Sequence, residues 1–456
     1  MRYLLCAIAL ATVAGSGLGQ QPRQSANTTA LSPLAAMPMV AECYVTISPR
    51  PASQPIDSLC VSRADAIAGA LVANPQLLVA GAQAQQARAS RVQAVALPDP
   101  VFGAEWGGAS APFGIGGSNS RVVGAALTVP FVNTFGLHGR IGTAGIRQSE
   151  SDSVAVRQSI ASQTSQTYDA LLAALRHRSN GRQADSLAVD FLQKTQARFE
   201  AGTVARLDVV NAEVAVAQAG NELIAIERDI ANARASLNRL LGRPLGAPLA
   251  TADTLGLPAA LPPLQALEAA ALRDRPELGS LAQQQLAAHA TTTLSQEFWF
   301  PNLTIGVIKD FLGGTQPGYL TTGISFPIPI LYRNHANGEI AQAKSYETEL
   351  AARYRDLQAA VAEDVRFAYT AAGVSLRQAA YIRDQLLPAS RQAYRIAAAS
   401  YALGGSSALE VNAARVALIS AASQYTDALA AANSARADLE RAVASPLATF
   451  GTGVPQ

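Results

Sequence analysis

The side chains able to carry out chemistry are few in this 456-residue chain and lie far apart. The four histidines show no ligand spacing around the three cysteines, so no metal site is predicted. No nucleophile with a neighbouring base and no phosphate-binding loop appears in the sequence. The sequence therefore predicts that the protein is not an enzyme and holds no metal or cofactor. The histidines are His138, His177, His289 and His335.

Two acidic residues, Asp208 and Glu410, occupy equivalent places in a motif that occurs twice. Phe199-Glu-Ala-Gly-Thr-Val-Ala-Arg-Leu-Asp-Val209 realigns at a shift of 202 on Tyr401-Ala-Leu-Gly-Gly-Ser-Ser-Ala-Leu-Glu-Val411. An acid in the first turn of a helix interacts well with the helix dipole, for about 0.3–1 kcal/mol. Helix capping is therefore one interpretation of both residues.

The duplication extends over most of the chain. Residues 74–77 realign on 275–278 at a shift of 201, and Pro130, Gly139 and Ile141 realign on equivalents 199 residues later. Three matches at nearly one shift indicate a duplicated unit, and duplication usually produces symmetry. A chain made of two long helical units is more typical of a wall or a tube than of a catalyst.

Composition and the N-terminus indicate an exported protein. Charged residues are 15% of the chain and the net charge is +2 without a basic cluster, so no nucleic-acid partner is predicted. Arg2, an apolar run and a small-residue cleavage site predict a signal peptide over residues 1–19. The predicted divisions are an extended arm at 20–60, repeat one at 61–245, a linker at 246–263, repeat two at 264–445 and a tail at 446–456.

Cleavage of this signal peptide would leave two cysteines, Cys43 and Cys60. In an oxidising compartment a disulfide between them is reasonable and would contribute roughly 3 kcal/mol. Two unpaired thiols are the alternative.

Each repeat is predicted to run helix, two short strands, very long helix, tight turn, helix. The predicted helices cover about 62–97, 139–200 and 207–241 in repeat one, and 264–297, 338–403 and 406–443 in repeat two. The predicted strands cover 101–107, 121–129, 302–309 and 319–326. The long helices would measure on the order of 90 Å. Apolar residues recur at steps of three and four from Val209 and from Val411, which predicts coiled-coil seams.

Four strands in one chain cannot close a barrel, and open strand edges are not tolerated in lipid. Three chains would supply twelve strands, enough for one membrane barrel continued by a helical tube. Aromatic residues near the strands suit the girdles of such barrels, although a soluble sheet with a packed aromatic core is the alternative. These aromatic residues are Phe102, Trp106, Phe298, Trp299, Phe300, Tyr319 and Phe326.

Several motifs resemble those of TolC-like outer-membrane efflux proteins. They are the two turns, Ala-Arg-Phe-Glu-Ala-Gly-Thr-Val-Ala-Arg-Leu-Asp (197–208) and Ser-Tyr-Ala-Leu-Gly-Gly-Ser-Ser-Ala-Leu-Glu (400–410), with Asn-Arg-Leu-Leu-Gly-Arg-Pro (238–244) and Arg-Pro-Glu-Leu (275–278). Phe-Pro-Ile-Pro-Ile-Leu-Tyr-Arg-Asn (326–334), followed by Gly-Glu-Ile (338–340), is similar to the heavy-metal efflux branch. The resemblance covers about residues 61–445.

The resemblance implies a homotrimer that forms a 12-stranded β-barrel in the outer membrane and an α-helical barrel in the periplasm. A periplasmic adaptor and an inner-membrane pump would be its partners, with outer-membrane lipid around the barrel. Asp208 and Glu410 would then form a negative ring at the periplasmic constriction, as the alternative to simple capping. The helix tips would contact the adaptor; the residues expected there are Gly202, Thr203, Leu207, Gly404, Gly405, Ser406 and Leu409.

The predicted function is a passive exit channel of a tripartite efflux system, located in the outer membrane and extending into the periplasm. Two other functions are kept open. One is the exit channel of a type I protein secretion system. The other, of a different class, is a soluble periplasmic adaptor or scaffold with a helical hairpin.

Overall fold

The computed structural model describes residues 60–106, 120–299, 302–312, 320–326 and 332–450. The chain divides into two units, Met1–Glu42 and Cys43–Gln456. The first unit lies outside the described residues. So do the predicted signal peptide, the arm up to residue 59, Phe300, Tyr319 and the end of the tail.

The two repeats have the same order of elements. Repeat one contains α1 (Arg63–Ala73), α2 (Pro75–Ala94), β2 (Val101–Trp106), β3 (Ser120–Val129), α3 (Val132–Glu200) and α4 (Arg206–Leu240). Repeat two contains α5 (Leu264–Asp274), α6 (Pro276–Gln296), β5 (Leu303–Leu312), β6 (Leu320–Ser325), α7 (Arg333–Tyr381), α8 (Leu387–Ala402) and α9 (Ala408–Val443). Two short strands, β1 (Cys60–Val61) and β4 (Ala250–Thr251), pair in parallel.

The first predicted helix of each repeat is in fact two helices, so those predictions were wrong. Asn74 and Arg275 interrupt them with extended backbone, at φ −71°, ψ 124° and φ −66°, ψ 120°. Each precedes a proline, and a proline ring disfavours helical geometry in the residue before it. Pro75 and Pro276 then begin the next helix, where no N–H is needed.

The long helices also differ from their predicted bounds. They begin at Val132 and Arg333, several residues before the predicted starts, and α3 alone has 69 residues. The second long helix contains a π-helical turn at Ile382–Leu386, immediately before α8. Pro388 lies just beyond this turn and cannot donate a backbone hydrogen bond. The π turn is a local adjustment of the hydrogen bonding at that missing donor.

The four longer strands form one antiparallel sheet in the order β2-β3-β5-β6. Strands of both repeats therefore meet at the β3–β5 pair. Within the described residues β2 and β6 are the two ends of this sheet.

Helix α3 packs against helices of both repeats, namely α1, α2, α4, α6 and α9, whereas α7 packs against α5, α6 and α9 of its own repeat. The largest core cluster contains Tyr168 and Leu171 of α3, Leu237 of α4 and Leu429 of α9. The apolar seams predicted for α4 and α9 are buried at most of their positions. Near residue 414 the burial departs from the pattern, because Ala414 is half-buried and Arg415 is buried beside it.

A polar cluster fastens β1 and β4 to the helices. The Tyr168 hydroxyl shares its one proton between two acceptors, the Val61 carbonyl at 2.9 Å and Asp253 Oδ2 at 3.0 Å. Arg63 contacts Asp169 Oδ1, and its backbone N–H donates to Asp253 Oδ2 at 2.7 Å. The predicted linker thus includes residues that contact α1, α3 and α9.

Three helices end at a glycine of positive φ. Gly202, Gly242 and Gly404 have φ of +71°, +64° and +82°, and each donates its N–H to a carbonyl in the last helical turn. The residue equivalent to Gly242 in repeat two is Ala444, also at positive φ (61°). An L-residue in this conformation costs roughly 1–2 kcal/mol.

The substitutions Gly242→Ala and Ala444→Gly test the cost of positive φ in a non-glycine residue in both directions. We expect Ala444→Gly to raise the free energy of unfolding by about 0.5–1 kcal/mol, since relief of φ strain is partly offset by glycine entropy. Gly242→Ala should lower it by more than about 1–2 kcal/mol, because the added Cβ would lie 2.8 Å from the Ala73 carbonyl oxygen. Denaturant unfolding followed by circular dichroism measures both. If both variants change the free energy of unfolding equally, the cost of positive φ is not what distinguishes glycine from alanine at these two positions.

Candidate functional site

The first helix tip is the turn between α3 and α4. Gly202 N donates to Phe199 O and Thr203 N donates to Arg198 O, each at 2.9 Å. This pair of bonds requires the positive φ of Gly202. Gly202 and Thr203 are exposed at the tip, and Leu207 follows them with 66% of its surface exposed.

The second tip, between α8 and α9, repeats this geometry. Gly404 N donates to Tyr401 O at 3.0 Å and Gly405 N donates to Ser400 O at 2.8 Å. Ser406 is half-buried because its hydroxyl donates to the Ala397 carbonyl. Leu409, equivalent to Leu207, is 76% exposed. Two equivalent leucines are thus exposed beside two rigid turns.

Arg198 joins the two tips. Its Nη1 donates to the Tyr401 carbonyl at 2.7 Å, and its guanidinium carbon lies 4.3 Å from the centre of the Tyr401 ring. Its Nε also donates to Thr203 Oγ1 at 3.3 Å. The sequence analysis did not single out these two residues, although Tyr401 begins the second copy of the duplicated motif and Arg198 directly precedes the first copy.

Asp208 and Glu410 both cap their helices. Asp208 Oδ2 accepts from the Ala205 N–H at 3.3 Å, and Glu410 Oε2 accepts from the Ser407 N–H at 2.9 Å. The Ser407 hydroxyl in turn accepts from the Glu410 N–H, which completes a capping box in α9. Capping is therefore present at both acids, and a role at a constriction stays a prediction.

The sheet has one apolar face. Side chains alternate along a strand, so the register places Leu127, Ile305 and Ile324 in one row across β3, β5 and β6. Their face, which we call the apolar face, also carries Phe102, Val123, Val129, Leu303, Val307 and Leu320, together with the polar residues Thr322 and Lys309. Phe102 is 78% and Ile324 70% exposed. A contiguous exposed apolar surface of this kind differs from the singly scattered apolar residues on the surface of a soluble protein.

The opposite face of the sheet is lined mainly by small and hydroxyl side chains. Thr128 and Thr304 bond to each other there at 3.1 Å. Among the side chains that the structure describes, Val101 and Ile308 are the larger ones on this face. The alternative of a packed aromatic core is wrong for Phe102 and Phe326, which are exposed in the chain. The other members of this face with described side-chain positions are Gly103, Gly124, Ala126, Gly306, Thr321, Gly323 and Ser325.

A family model described as outer membrane efflux protein matches residues 66–243 and 267–445. The chain belongs to this family. The match covers both repeats, and it confirms the predicted efflux function and the outer-membrane location. The soluble adaptor alternative is thereby set aside.

Solved structures of outer-membrane channels are similar to this outer membrane efflux protein. The Campylobacter jejuni CmeC outer membrane channel is 17% identical, with a TM-score of 0.71 over 84% of this chain and 85% of that one. The outer membrane protein VceC from Vibrio cholerae is 17% identical, with a TM-score of 0.71 over 85% and 97%. CusC is 20% identical, with a TM-score of 0.70 over 84% and 91%. These likenesses confirm the fold.

A comparison with curated proteins found no match. The identities to the solved channels are similar to one another, so the heavy-metal branch stays a prediction. Among the described residues, no group of three His, Cys, Asp or Glu is placed to hold a metal ion. Cys60 is disulfide-bonded. Cys43 lies outside the described residues, so its pairing with Cys60 stays a prediction.

No single helix in the described part of this outer membrane efflux protein is long and apolar enough to cross a membrane. The pair Arg63–Ala73 and Pro75–Ala94, bent by 44°, meets that test by length and composition when taken together.

The buried acid Asp169 is a second feature that the sequence analysis missed. It is 2% exposed, and its Oδ2 has no hydrogen-bond partner among the described residues. Burial raises the pKa of Asp169 to about 6, although the Arg63 guanidinium lowers it. Asp253 raises this pKa further and Arg436 of α9 lowers it. Burial also raises the pKa of the neighbouring Tyr168.

Because the pKa of Asp169 is raised in the folded state, this residue should lower the free energy of unfolding as the pH rises. The unfolded carboxyl titrates near 3.9, so between about pH 4 and 6 only the folded state binds the proton. The stability that this proton supplies is present below pH 4 and is lost as the pH passes 6. Two pKa units correspond to about 3 kcal/mol.

Asp169→Asn should remove that dependence. Between pH 4 and pH 7.5, the melting temperature of the wild type should fall by about 3 °C relative to that of the variant. This figure is the free energy of about 3 kcal/mol divided by the unfolding entropy of the chain, which is about 2.1 cal/mol/K per residue. Thermal unfolding across this pH range measures the difference. Asp152→Asn, at an exposed acid of the same helix, is the matched control and should follow the wild type. Parallel curves for wild type and Asp169→Asn would contradict the prediction.

Proposed function

We propose that three copies of this outer-membrane efflux channel pool their strands into one 12-stranded barrel, continued by a tube of helices in the periplasm. The observation that carries the proposal is the sheet with an exposed apolar face, in which the outer edges of β2 and β6 have no partner strand among the described residues. Four strands from each of three chains give the twelve that the barrel needs. The apolar face then meets lipid, and the small and hydroxyl side chains line the interior.

The helices support the same assembly. Within one chain, α3 of repeat one packs against α9 of repeat two. Because the two repeats are equivalent, α7–α8 corresponds to α3 and α4 corresponds to α9. We therefore expect the same kind of contact between the α7–α8 helix of one copy and α4 of the next copy. Exposed apolar side chains are present on both surfaces, at Phe367 and Tyr381 of α7 and at Val214 and Ile224 of α4. A second copy would cover them.

The helix tips are the proposed docking surface for a periplasmic adaptor, which connects the channel to an inner-membrane pump. Leu207 and Leu409 offer apolar anchors beside turns held by backbone hydrogen bonds. In three copies, these two leucines per chain make a ring of six anchors. The channel is passive, and the pump selects the cargo.

Native mass spectrometry and planar-bilayer recordings of the detergent-extracted protein test the assembly together. A trimer that inserts and conducts is the expected result. A monomer that remains in solution without detergent and never conducts would overturn the proposal. A conducting oligomer of another size would overturn the number of chains alone.

A further inference from the structure

A cavity of about 340 Å³ lies where α4 and α9 both rest on α3, above the helix tips. Its walls are mostly small or apolar, including Gly181 and Ala184 of α3, Ala219 of α4 and Ile419 of α9. Its volume is in the range of small-molecule sites, which combine apolar walls with a few polar groups. One chain supplies all of these residues.

Arg415 of α9 lines this cavity and is only 4% exposed. Its Nε and Nη2 both donate to Asn412 Oδ1, at 3.3 and 2.9 Å. No Asp or Glu in the described part of the chain lies within ion-pairing distance of its guanidinium. Burial lowers the pKa of Arg415, as expected for a cation that lacks a compensating anion. A buried unpaired guanidinium is costly, and a ligand carboxylate could accept hydrogen bonds from it.

The other end of the cavity has the opposite charge. Glu222 lies seven residues beyond Ala215 on α4, about 10 Å along the helix, and both residues line the cavity. His177, also at this end, is paired with Asp427 at 3.0 Å. Asn180 is occupied as well, since its Nδ2 donates to Thr426 Oγ1 at 2.9 Å and to Ala422 O. Among its described lining residues, the cavity therefore offers one cation without an acidic partner and, beyond the apolar walls, one acid without a cationic partner.

We propose that this cavity is a binding site for a small organic monocarboxylate. The carboxylate accepts hydrogen bonds from the Arg415 guanidinium, and an apolar body lies against Gly181, Ala184 and Ile419. Glu222 repels a second negative charge at the far end, so a dicarboxylate of similar length is rejected. Neither the carboxylate site nor its charge preference is part of the proposed channel assembly.

Three naphthalene compounds separate the contributions of charge and shape. Naphthalene-2-carboxylate is the probe, naphthalene-2-carboxamide is its neutral isostere, and naphthalene-2,6-dicarboxylate carries the second charge. Calorimetric titration of the detergent-extracted full chain should show binding of the carboxylate at least tenfold tighter than of the other two.

Arg415→Met should weaken binding of the monocarboxylate at least tenfold and weaken binding of the amide much less, because the amide oxygen accepts a hydrogen bond but carries no charge. Arg391→Met, at an exposed arginine of α8, removes the same charge outside this cavity and should bind like the wild type. Arg415→Lys keeps the charge without the planar fork and should give an intermediate loss, a result available even if Arg415→Met folds poorly. Glu222→Gln should selectively improve binding of the dicarboxylate.

Several results would overturn the proposal. They are equal binding of carboxylate and amide by the wild type, unchanged carboxylate binding by Arg415→Met, and no binding by the wild type at millimolar probe. If the wild type does not bind the probe, Arg415 only sets the register of α9 against its neighbouring helices. An unchanged preference in Glu222→Gln would overturn the assigned orientation. Trimer formation and conductance are measured separately and are unaffected by any of these outcomes.

Discussion

Ile324→Arg is expected to abolish insertion and conductance, whereas Thr321→Arg, three residues earlier on β6, is expected to keep both. Ile324 belongs to the apolar face, and Thr321 points to the opposite face of the same strand. An arginine facing lipid at the bilayer midplane costs about 2–4 kcal/mol, and a trimer would bear that cost three times. An arginine in the barrel interior is hydrated and alters selectivity instead.

Outer-membrane fractionation and single-channel recording of both variants measure this difference. Thr321→Arg is the matched control, because it introduces the same side chain into the same strand. Circular dichroism should give equal helix content in both, since neither residue contacts a helix core. If the two variants insert equally well, or if Thr321→Arg is the defective one, the assignment of the lipid-facing side is wrong.

The double variant Asp208→Asn/Glu410→Gln is expected to lose cation selectivity and to conduct more than the wild type. The amide oxygens can still accept from the Ala205 and Ser407 N–H groups, so the helix caps persist while six charges leave a trimer. A shift of roughly tenfold in the cation-to-anion permeability ratio corresponds to about 1.4 kcal/mol. Reversal potentials in a salt gradient measure this ratio.

The comparison with Asp208→Ala/Glu410→Ala separates charge from capping. The alanine pair removes both, and loss of a cap costs about 0.5–2 kcal/mol per helix. If the amide pair behaves like the wild type and only the alanine pair changes conductance, the acids act as caps alone. Equal changes in selectivity for both pairs would place the negative charge at the constriction.

The sequence predicted the helix tips well because local chemistry determines them. Gly202 and Gly404 lie where a helix needs a residue of positive φ, and Asp208 and Glu410 lie three residues after the helix N-caps. The breaks at Asn74 and Arg275 had an equally local signal in Pro75 and Pro276. The helix predictions extended across both prolines because the apolar pattern continues on either side.

Other features depend on tertiary packing and have no signal in a single segment. Ala414 fits the heptad pattern of α9, yet Arg415 is the buried residue because Tyr394 of α8 and the cavity lie on its side. Asp169 reads as an ordinary polar residue of α3 until Arg63 approaches it from α1. The distinction between the two sheet faces required the strand register.

The bond between Arg198 and Tyr401 has a mechanical consequence. It links the α3–α4 hairpin to the α8–α9 hairpin at their ends, where a force would have the greatest leverage. A pull on one tip is therefore shared with the other, and displacement of either hairpin alone first requires the link to break. Within one chain the two hairpins are therefore displaced together by a force on either tip.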